Sequence, residues 1–162
     1  MFRIEVFMKK CFKNPKGSQV LSDISWLGIK NIAKIEYCPL YLIDGDVKIE
    51  DVEKIASELL SDKVTEFCTV SRCSDLNSIN VNSSVPSLSS SVSIIEIWYK
   101  KGVTDTVAES IVKAVKDLGI TKDVKVKAGH KYCLYGTISR AILDTIVTKL
   151  LANTLVQEYE IK

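Results

Sequence analysis

The sequence contains few of the residues that most often carry metal-binding or catalytic chemistry. Its 162 residues include one histidine, His130, and five cysteines with no Cys-x-x-Cys pair. Zinc sites need several cysteine or histidine ligands at short spacings, so the sequence argues against one. The odd number of scattered cysteines instead indicates buried or half-buried thiols in a reducing compartment. Phosphate-binding glycine motifs and a nucleophile elbow are also missing, which argues against a nucleotide-binding or hydrolytic site in this chain.

Long apolar runs and dense basic patches are missing as well. No run approaches the roughly 20 apolar residues that cross a bilayer, and MFRIEVFMKKCF has charges where a signal peptide needs an apolar core. The formal net charge is only +2, and neither half has the basic patch of a nucleic-acid binder. We therefore expect a cytoplasmic protein that contacts neither membrane nor nucleic acid. Apolar residues make up 46% of the chain, enough to form a core.

Serine, by contrast, is concentrated in the middle of the chain. Between Ser74 and Ser93, nine of twenty residues are serine. Such a segment has too little apolar mass to offset the entropy lost on ordering it. We interpret residues 71–93 as a Ser-rich linker; the alternative is a surface loop that packs loosely against one half.

The sequences on the two sides of this linker repeat each other at an offset of 91 residues. Residues 3–62 align with residues 94–153 without a gap, and 13 of these 60 pairs are identical. One inserted residue then aligns Glu66 with Glu158. The pattern predicts an internal duplication with unit 1 of the sequence at residues 1–70 and unit 2 at residues 94–162.

Each repeat predicts the same order of elements. Alternating apolar residues in Arg3–Lys9 indicate a strand, and a helix follows that ends at Leu-Gly in both repeats. In the first repeat, Asn14 and Pro15 form a good helix start, and in the second, Thr106 and Glu109 fit a capping box. Next comes either one long bent strand or a hairpin, then a second helix and a final strand. The predicted fold class is α+β, with two β-α-β(β)-α-β units whose antiparallel sheets carry helices on one face.

A unit of this size leaves one face of its sheet open, because its two helices cover only the other face. Small domains bury a low fraction of their surface, and pairing with a second copy is the usual remedy. Two tethered copies make that pairing intramolecular. We therefore expect two superposable halves related by a pseudo-twofold axis.

The repeats resemble PurS, the small subunit of phosphoribosylformylglycinamidine (FGAM) synthase. The stretches that carry the resemblance are RIEVFMKK, SWLGI, YLIDGD, VEKIASELL and DKVTEF in the first repeat; in the second, HKYCLYGT replaces the acidic strand end. PurS is usually a single unit that dimerises, and the single-chain form of the enzyme begins with a domain similar to two joined units. This chain is similar to that joined arrangement, either as a separate subunit or as the front of a longer polypeptide.

The resemblance implies a structural role in purine biosynthesis. FGAM synthase uses ATP to activate a formamide oxygen, which ammonia from glutamine then displaces. A PurS-like part would bridge the large synthase subunit and the glutaminase subunit and support ammonia transfer. ATP, magnesium and glutamine would be used by the complex, with no cofactor, metal or catalytic residue in this chain.

Two other function classes stay open on the fold alone. Tandem β-α-β-β-α-β units also form regulatory modules that bind an amino acid at the interface of the two units, and this is the alternative function. A small enzyme such as an acylphosphatase has the same element order. That activity needs an arginine-bearing phosphate loop, which this sequence lacks.

The candidate interface residues are those that recur in both repeats. The recurring lysines lie at the end of the first strand, where they suit either an acidic partner surface or a solvated strand end. The recurring tyrosines suit either an interface or packing in the cores and between the copies. These residues are Lys9, Lys10, Tyr41, Lys100, Lys101 and Tyr132.

The repeats differ most in charge. The first contains Asp44, Asp46, Glu50, Asp51 and Glu53, and the second contains Lys122, Lys125, Lys127, Lys131 and Arg140. The acidic group is better explained as a charged helix start than as a cation site, because the second repeat does not share it. His130 is interpreted as a loop histidine near a strand start. The divergence predicts that the acidic copy meets one partner and the basic copy the other.

Overall fold

The computed structural model describes residues 1–73, 91–120 and 123–162. This part of the chain forms two successive β-α-β-α-β blocks, which confirms the α+β class and gives the repeated order that a duplication requires. The first block comprises β1 (Phe2–Met8), α1 (Pro15–Trp26), β2 (Lys34–Gly45), α2 (Ile49–Ile55) and β3 (Glu66–Arg72). The second comprises β4 (Val92–Tyr99), α3 (Thr106–Asp117), β5 (Val124–Tyr135), α4 (Arg140–Ile146) and β6 (Gln157–Ile161). The helices α2 and α4 each continue into one π-helical turn, Ala56–Leu60 and Val147–Leu151.

The six strands form one antiparallel sheet in the order β3-β1-β2-β5-β4-β6. In β1 the predicted alternation is confirmed, because Ile4 and Val6 are 0% and 1% exposed and point into a core. Where the sequence left open a long strand or a hairpin, β2 and β5 are each one continuous strand of 12 residues.

The described residues group into two compact units that do not coincide with the two repeats. Unit 1 takes its residues from the ranges 1–9, 39–73 and 105–128. Unit 2 takes its residues from the ranges 10–38, 91–104 and 129–162. From here on, unit 1 and unit 2 mean these compact units.

Each core combines strands of one repeat with the first helix of the other repeat. In unit 1, Ile111 and Val115 of α3 belong to the same buried cluster as Ile4 of β1 and Val52 of α2. In unit 2, Ile24 of α1 belongs to a cluster that is otherwise built largely from β4, β5 and α4. The expectation that each repeat covers its sheet with its own two helices is therefore wrong for α1 and α3.

The length of β2 and β5 gives the physical reason for this exchange. Twelve extended residues span roughly 40 Å, and the boundary between the units falls inside both strands, after Cys38 and after Ala128. A hairpin would have placed each first helix against the strands of its own repeat. A continuous strand instead leaves α1 in unit 2 and α3 in unit 1.

The starts of α1 and α3 are equivalent in the two repeats. The side chain of Asn14 caps α1 by accepting a hydrogen bond from the Gly17 amide at 2.9 Å, as predicted. The cap of α3 is Asp105, which accepts from the Ala108 amide at 2.9 Å. The predicted start at Thr106 is therefore wrong by one residue, because the carboxylate of Asp105 already satisfies the free amide.

The strand registers correct the alignment of the last strands. Met8 lies opposite Glu66, and its equivalent Tyr99 lies opposite Gln157. Glu66 therefore corresponds to Gln157 at the same offset of 91 residues. The inserted residue that would align Glu66 with Glu158 is wrong.

The predicted linker, residues 71–93, overlaps two strands at its ends. Strand β3 continues through Arg72, and β4 begins at Val92. The rest of the predicted linker lies mostly outside the described residues, so its role as a tether stays a prediction.

Candidate partner-binding surfaces

Tyr41 of unit 1 lies in an open groove of about 450 Å³. Leu59 and Leu60 of the π-helical turn after α2 line the groove, together with Val107 and Ser110 of α3. Val107 is 47% exposed although it is apolar. The groove thus presents an apolar surface with a few hydroxyl groups, and its volume is within the range of ligand sites.

Two nearby carboxylates, those of Glu66 and Asp105, affect the pKa of Tyr41 in the groove. Burial, followed by the charges of Glu66 and Asp105, raises the pKa of Tyr41 above its usual value. A negative potential disfavours the tyrosinate anion and so acts on the pKa in the same direction as burial. The groove therefore combines apolar walls with a negative field.

Tyr132, the equivalent of Tyr41, lies in unit 2 and is 4% exposed. Its ring centroid is 5.3 Å from that of Tyr37, and the Nζ atom of Lys16 lies 3.9 Å from the centroid of the Tyr37 ring. Burial raises the pKa of Tyr132 to about 12, and it also lowers the pKa of Lys16. Both Tyr41 and Tyr132 pack against the cores, as one of the two interpretations expected; a contact with a partner stays a prediction.

Lys9 and Lys100 have the same internal role in the two units. The ammonium of Lys9 donates to the carbonyl oxygens of Lys63 and Val64 at 2.7 and 3.0 Å. The ammonium of Lys100 donates to the carbonyl oxygen of Thr154 at 2.6 Å. Each lysine thereby holds the turn that precedes the last strand of its unit, which explains why the residue recurs.

Lys10 and Lys101 follow these lysines in exposed turns. Neither has a hydrogen bond or ion pair described for its side chain, so the structure does not explain why they recur. A partner contact through Lys10 and Lys101 stays a prediction, as it does for Lys9 and Lys100.

The two turns held by these lysines are built alike. In unit 1, Asp62 Oδ1 accepts from the amides of Val64 and Thr65, both at 2.8 Å. These hydrogen bonds, first the one from Thr65, lower the pKa of the Asp62 carboxyl. In unit 2, Asn153 Oδ1 accepts from the Leu155 amide at 3.1 Å. The turns end in exposed apolar side chains, since Val64 is 70% exposed and Leu155 is 84% exposed.

The remaining candidate groups have structural partners. His130 lies within β5 rather than in a loop, and its Nδ1 is 2.9 Å from the Tyr37 hydroxyl. The predicted helix start is confirmed for Glu50 and Asp51, which lie in the first turn of α2. In the described ranges, no group of three or more histidine, cysteine or carboxylate side chains is placed to hold a metal ion.

The cysteines follow the prediction with one exception. Cys38 and Cys133 are buried, and Cys68 and Cys73 are half-buried, as expected for structural thiols. Cys11 is exposed, contrary to that expectation, because it lies in the turn after β1. None of the five is in a disulfide.

The division of charge between the repeats does not follow the compact units. Lys125 and Lys127 belong to the second repeat but lie in unit 1 with Asp44 and Asp46. Lys122 falls outside the described residues. The predicted division into an acidic copy and a basic copy therefore does not describe the two folded units. Surface charge has to be compared between unit 1 and unit 2 instead.

Several residues that shape these surfaces were not singled out from the sequence. Asp105, Lys16 and Tyr37 are the main ones, and Asp105 could have been found because it aligns with the predicted cap Asn14. Lys16 and Tyr37 have no such signal, since Val107 and Ala128 stand at their equivalents and the two come together only through the fold. Within the described residues, no helix combines the length and apolar character that spanning a bilayer requires.

Residues 92–162 match the sequence model of PurS, described as phosphoribosylformylglycinamidine (FGAM) synthase. This segment is therefore similar to PurS. The match runs from the first residue of β4 to Lys162 and relates the chain to FGAM synthase of purine biosynthesis. A comparison with curated proteins found no match.

The PurS segment is the second repeat, and it contributes to both compact units. Its helix α3 lies in unit 1, whereas β4, α4 and β6 lie in unit 2. The first repeat lies outside the matched range. Its relation to PurS rests on its alignment with the second repeat and on the identical order of elements.

Proposed function

We propose that this chain is a non-catalytic component of FGAM synthase that bridges the ATP-dependent synthase part and the glutaminase part and supports ammonia transfer. The observation that carries the proposal is the PurS match over residues 92–162. ATP, magnesium and glutamine are assigned to the partner parts.

The difference between the two units supports a bridging role. A bridge needs two surfaces of different character, so that each partner binds one of them and is rejected by the other. Unit 1 has an open groove beside Tyr41, whereas in unit 2 Tyr132 is packed against Tyr37. The same elements thus present unlike surfaces.

The thiols support the non-catalytic role. A cysteine that attacks glutamine must be accessible and activated by a neighbouring base. Cys38 and Cys133 are only 2% and 8% exposed, which keeps them away from a substrate. Cys11 is exposed but lies in a turn, with no histidine contact described for it.

Reconstitution with the two partner parts tests the proposal. We expect glutamine-dependent FGAM formation to require this chain, because ammonia must pass from one partner to the other. FGAM formation from added ammonium salt should be much less dependent on it, because free ammonia needs no bridge. The measurement is the rate of FGAM formation with either nitrogen source, with and without the chain.

Three results would contradict the proposal. One is glutamine-dependent synthesis at the same rate without the chain. Another is ammonia release from glutamine by the isolated chain that is lost in Cys11→Ala, Cys38→Ala or Cys133→Ala. The third is a thermal shift with an amino acid, combined with no binding to either partner part, which would favour the sensor function instead.

A further inference from the structure

Two positions of unit 1 carry smaller or uncharged side chains than their equivalents in unit 2, and one of them, Val107, lines the groove. Ala128 stands where unit 2 has Tyr37, and Val107 stands where unit 2 has Lys16. In unit 2 the Lys16 ammonium lies over the Tyr37 ring at 3.9 Å. Unit 2 therefore has its own cation and ring where unit 1 has Val107 and Ala128.

The two segments that contain most of the groove-lining residues also differ in charge. Residues 58–66 and 105–110 of unit 1 contain five acidic residues and one basic residue, a formal charge of −4. The equivalent segments of unit 2, residues 149–157 and 14–19, contain two basic residues and no acidic one, a formal charge of +2. We call the five carboxylates of these two segments of unit 1 the acidic rim; the charges of two of them, Glu66 and Asp105, act on Tyr41 in the groove. The five are Glu58, Asp62, Glu66, Asp105 and Glu109.

Most of the charge in the acidic rim is not needed for the fold. The Glu66 carboxylate accepts from the Asp62 amide at 2.9 Å, and in unit 2 Gln157 accepts from the Asn153 amide at the same distance. Asp62 likewise performs the turn-forming task that neutral Asn153 performs in unit 2. An amide can therefore replace either carboxylate in this turn.

Asp105 is different, because it uses both carboxylate oxygens. Its Oδ1 accepts from the Ala108 amide and its Oδ2 from the Ala128 amide, each at 2.9 Å. These two hydrogen bonds, one to each oxygen, explain why position 105 carries a carboxylate. They have no counterpart that would explain the charges of Glu58, Asp62, Glu66 and Glu109.

We infer that the groove of unit 1 binds a segment of a partner protein that carries a lysine or arginine next to an aliphatic side chain. The apolar walls formed by Leu59, Leu60 and Val107 suit the aliphatic group and the stem of the basic residue. The acidic rim and the face of the Tyr41 ring suit the cationic end. Lys16 over Tyr37 is an internal example of the same contact.

Other occupants fit the groove less well. The formal charge of −4 repels nucleic acid and acidic peptides. A small polyamine would meet the acidic rim but would leave the apolar walls exposed to water. The inference deepens the proposed function by assigning a partner-facing surface, and its test uses this chain alone, so failure here leaves the FGAM synthase test unaffected.

Peptide binding to the full chain tests the inference. The probe is a fluorescein-labelled helical peptide of lysine and leucine, with leucines at i, i+4 spacing, and anisotropy measures its affinity. We expect the variant Glu58→Gln/Asp62→Asn/Glu66→Gln to bind several-fold more weakly at low salt, with a smaller loss at high salt. Ser110→Trp, which fills the groove from an exposed position, should weaken binding at both salt concentrations.

A matched variant controls for net charge. Asp23→Asn/Asp144→Asn/Glu160→Gln removes three carboxylates from unit 2 and should leave peptide affinity unchanged. Circular dichroism should show both triple variants folded; for the unit 1 variant the reason is that Asn153 and Gln157 already form the same turn in unit 2.

The inference is overturned by any of four results: no binding of the peptide by the unaltered chain, equal losses in both triple variants, full binding by Ser110→Trp, or equal binding of a peptide with glutamine in place of lysine. Competition by spermidine as effective as that by unlabelled peptide would assign the groove to a small polycation and overturn it too.

Discussion

Unit 1 and unit 2 have the same internal construction and different surfaces. Positions that face a core stay apolar in both, as Ile55 and Ile146 do at 0% exposure. The turn before the last strand is held by a lysine in both units. The groove beside the recurring tyrosine, by contrast, is open and acidic in one unit and packed in the other. Burial constrains side-chain type strongly, whereas exposed positions are free to acquire a function.

The two helix caps show how one further contact selects between similar residues. Asn14 and Asp105 cap equivalent helices through the same kind of hydrogen bond. Asn14 also donates from Nδ2 to the Tyr37 carbonyl at 2.8 Å, and Asp105 also accepts from the Ala128 amide. An amide can donate and a second carboxylate oxygen can only accept. The backbone group opposite each cap therefore explains which residue stands there.

The largest expected effect comes from the exchanged helices. Ile24 is 0% exposed in the core of unit 2, so we expect Ile24→Ala to lower the free energy of unfolding by about 2–5 kcal/mol. Hydrogen exchange should accelerate in β4 and β6 more than in β1 and β3, although β1 is much closer in sequence. Val115→Ala is the matched variant for unit 1 and should accelerate exchange in β1 and β3. If each substitution affects mainly its own repeat, the exchange of helices is wrong.

An intermediate effect should follow from exchanging the cap residues. Asn14→Asp would place a carboxylate oxygen against the Tyr37 carbonyl, and Asp105→Asn would place an amide donor against the Ala128 amide. Both variants keep a good capping residue. We expect each to lower the free energy of unfolding by about 1–3 kcal/mol because a polar group loses its partner. Serine at either position keeps the cap and also loses the second contact, but it places no like group against the Tyr37 carbonyl or the Ala128 amide, so it should cost less. Equal stability of all variants in denaturant titrations would contradict this account.

The smallest effect concerns the two recurring tyrosines at high pH. The pKa of Tyr132 is raised to about 12 by burial, so the folded state keeps a proton that the unfolded state loses near pH 10. Its contribution to stability is complete below pH 10 and declines as the pH rises toward 12. We expect Tyr132→Phe to reduce this decline by about 1 kcal/mol, measured by denaturant unfolding between pH 9 and about 11.

Tyr41→Phe is the matched variant for unit 1 and should also reduce the decline, since the pKa of Tyr41 is raised as well. Neutralising Glu66 should lower the pKa of Tyr41 and leave that of Tyr132 unchanged. A tyrosinate absorbance titration that shows equal changes at both tyrosines would contradict the local origin of the field in unit 1.

Much of the fold could be predicted because it depends on local patterns. The alternation around Ile4, the cap at Asn14 and the helix ends at Leu-Gly follow from short-range chemistry and were confirmed. The start of α3 was wrong by one residue because Asp105 and Thr106 are both good caps. The candidate site could be predicted only in part: the repeat singled out Tyr41, but its groove also needs α3, which lies more than sixty residues away in sequence.

The sequence by itself determined the order of the elements, the apolar character of two cores and the recurrence of Lys9, Tyr41 and their equivalents, because these depend on periodicity and on the offset between the repeats. Only the tertiary structure decided which helix completes which core. That choice depends on whether β2 and β5 bend. An alternating sequence is compatible both with one continuous strand and with a hairpin. The sequence alone also could not show why glycine stands at positions 45 and 136. A Cβ atom at Gly45 would meet the backbone carbonyl of Asp123, and one at Gly136 would meet that of Asn31. Such carbonyls approach only after distant segments have folded together.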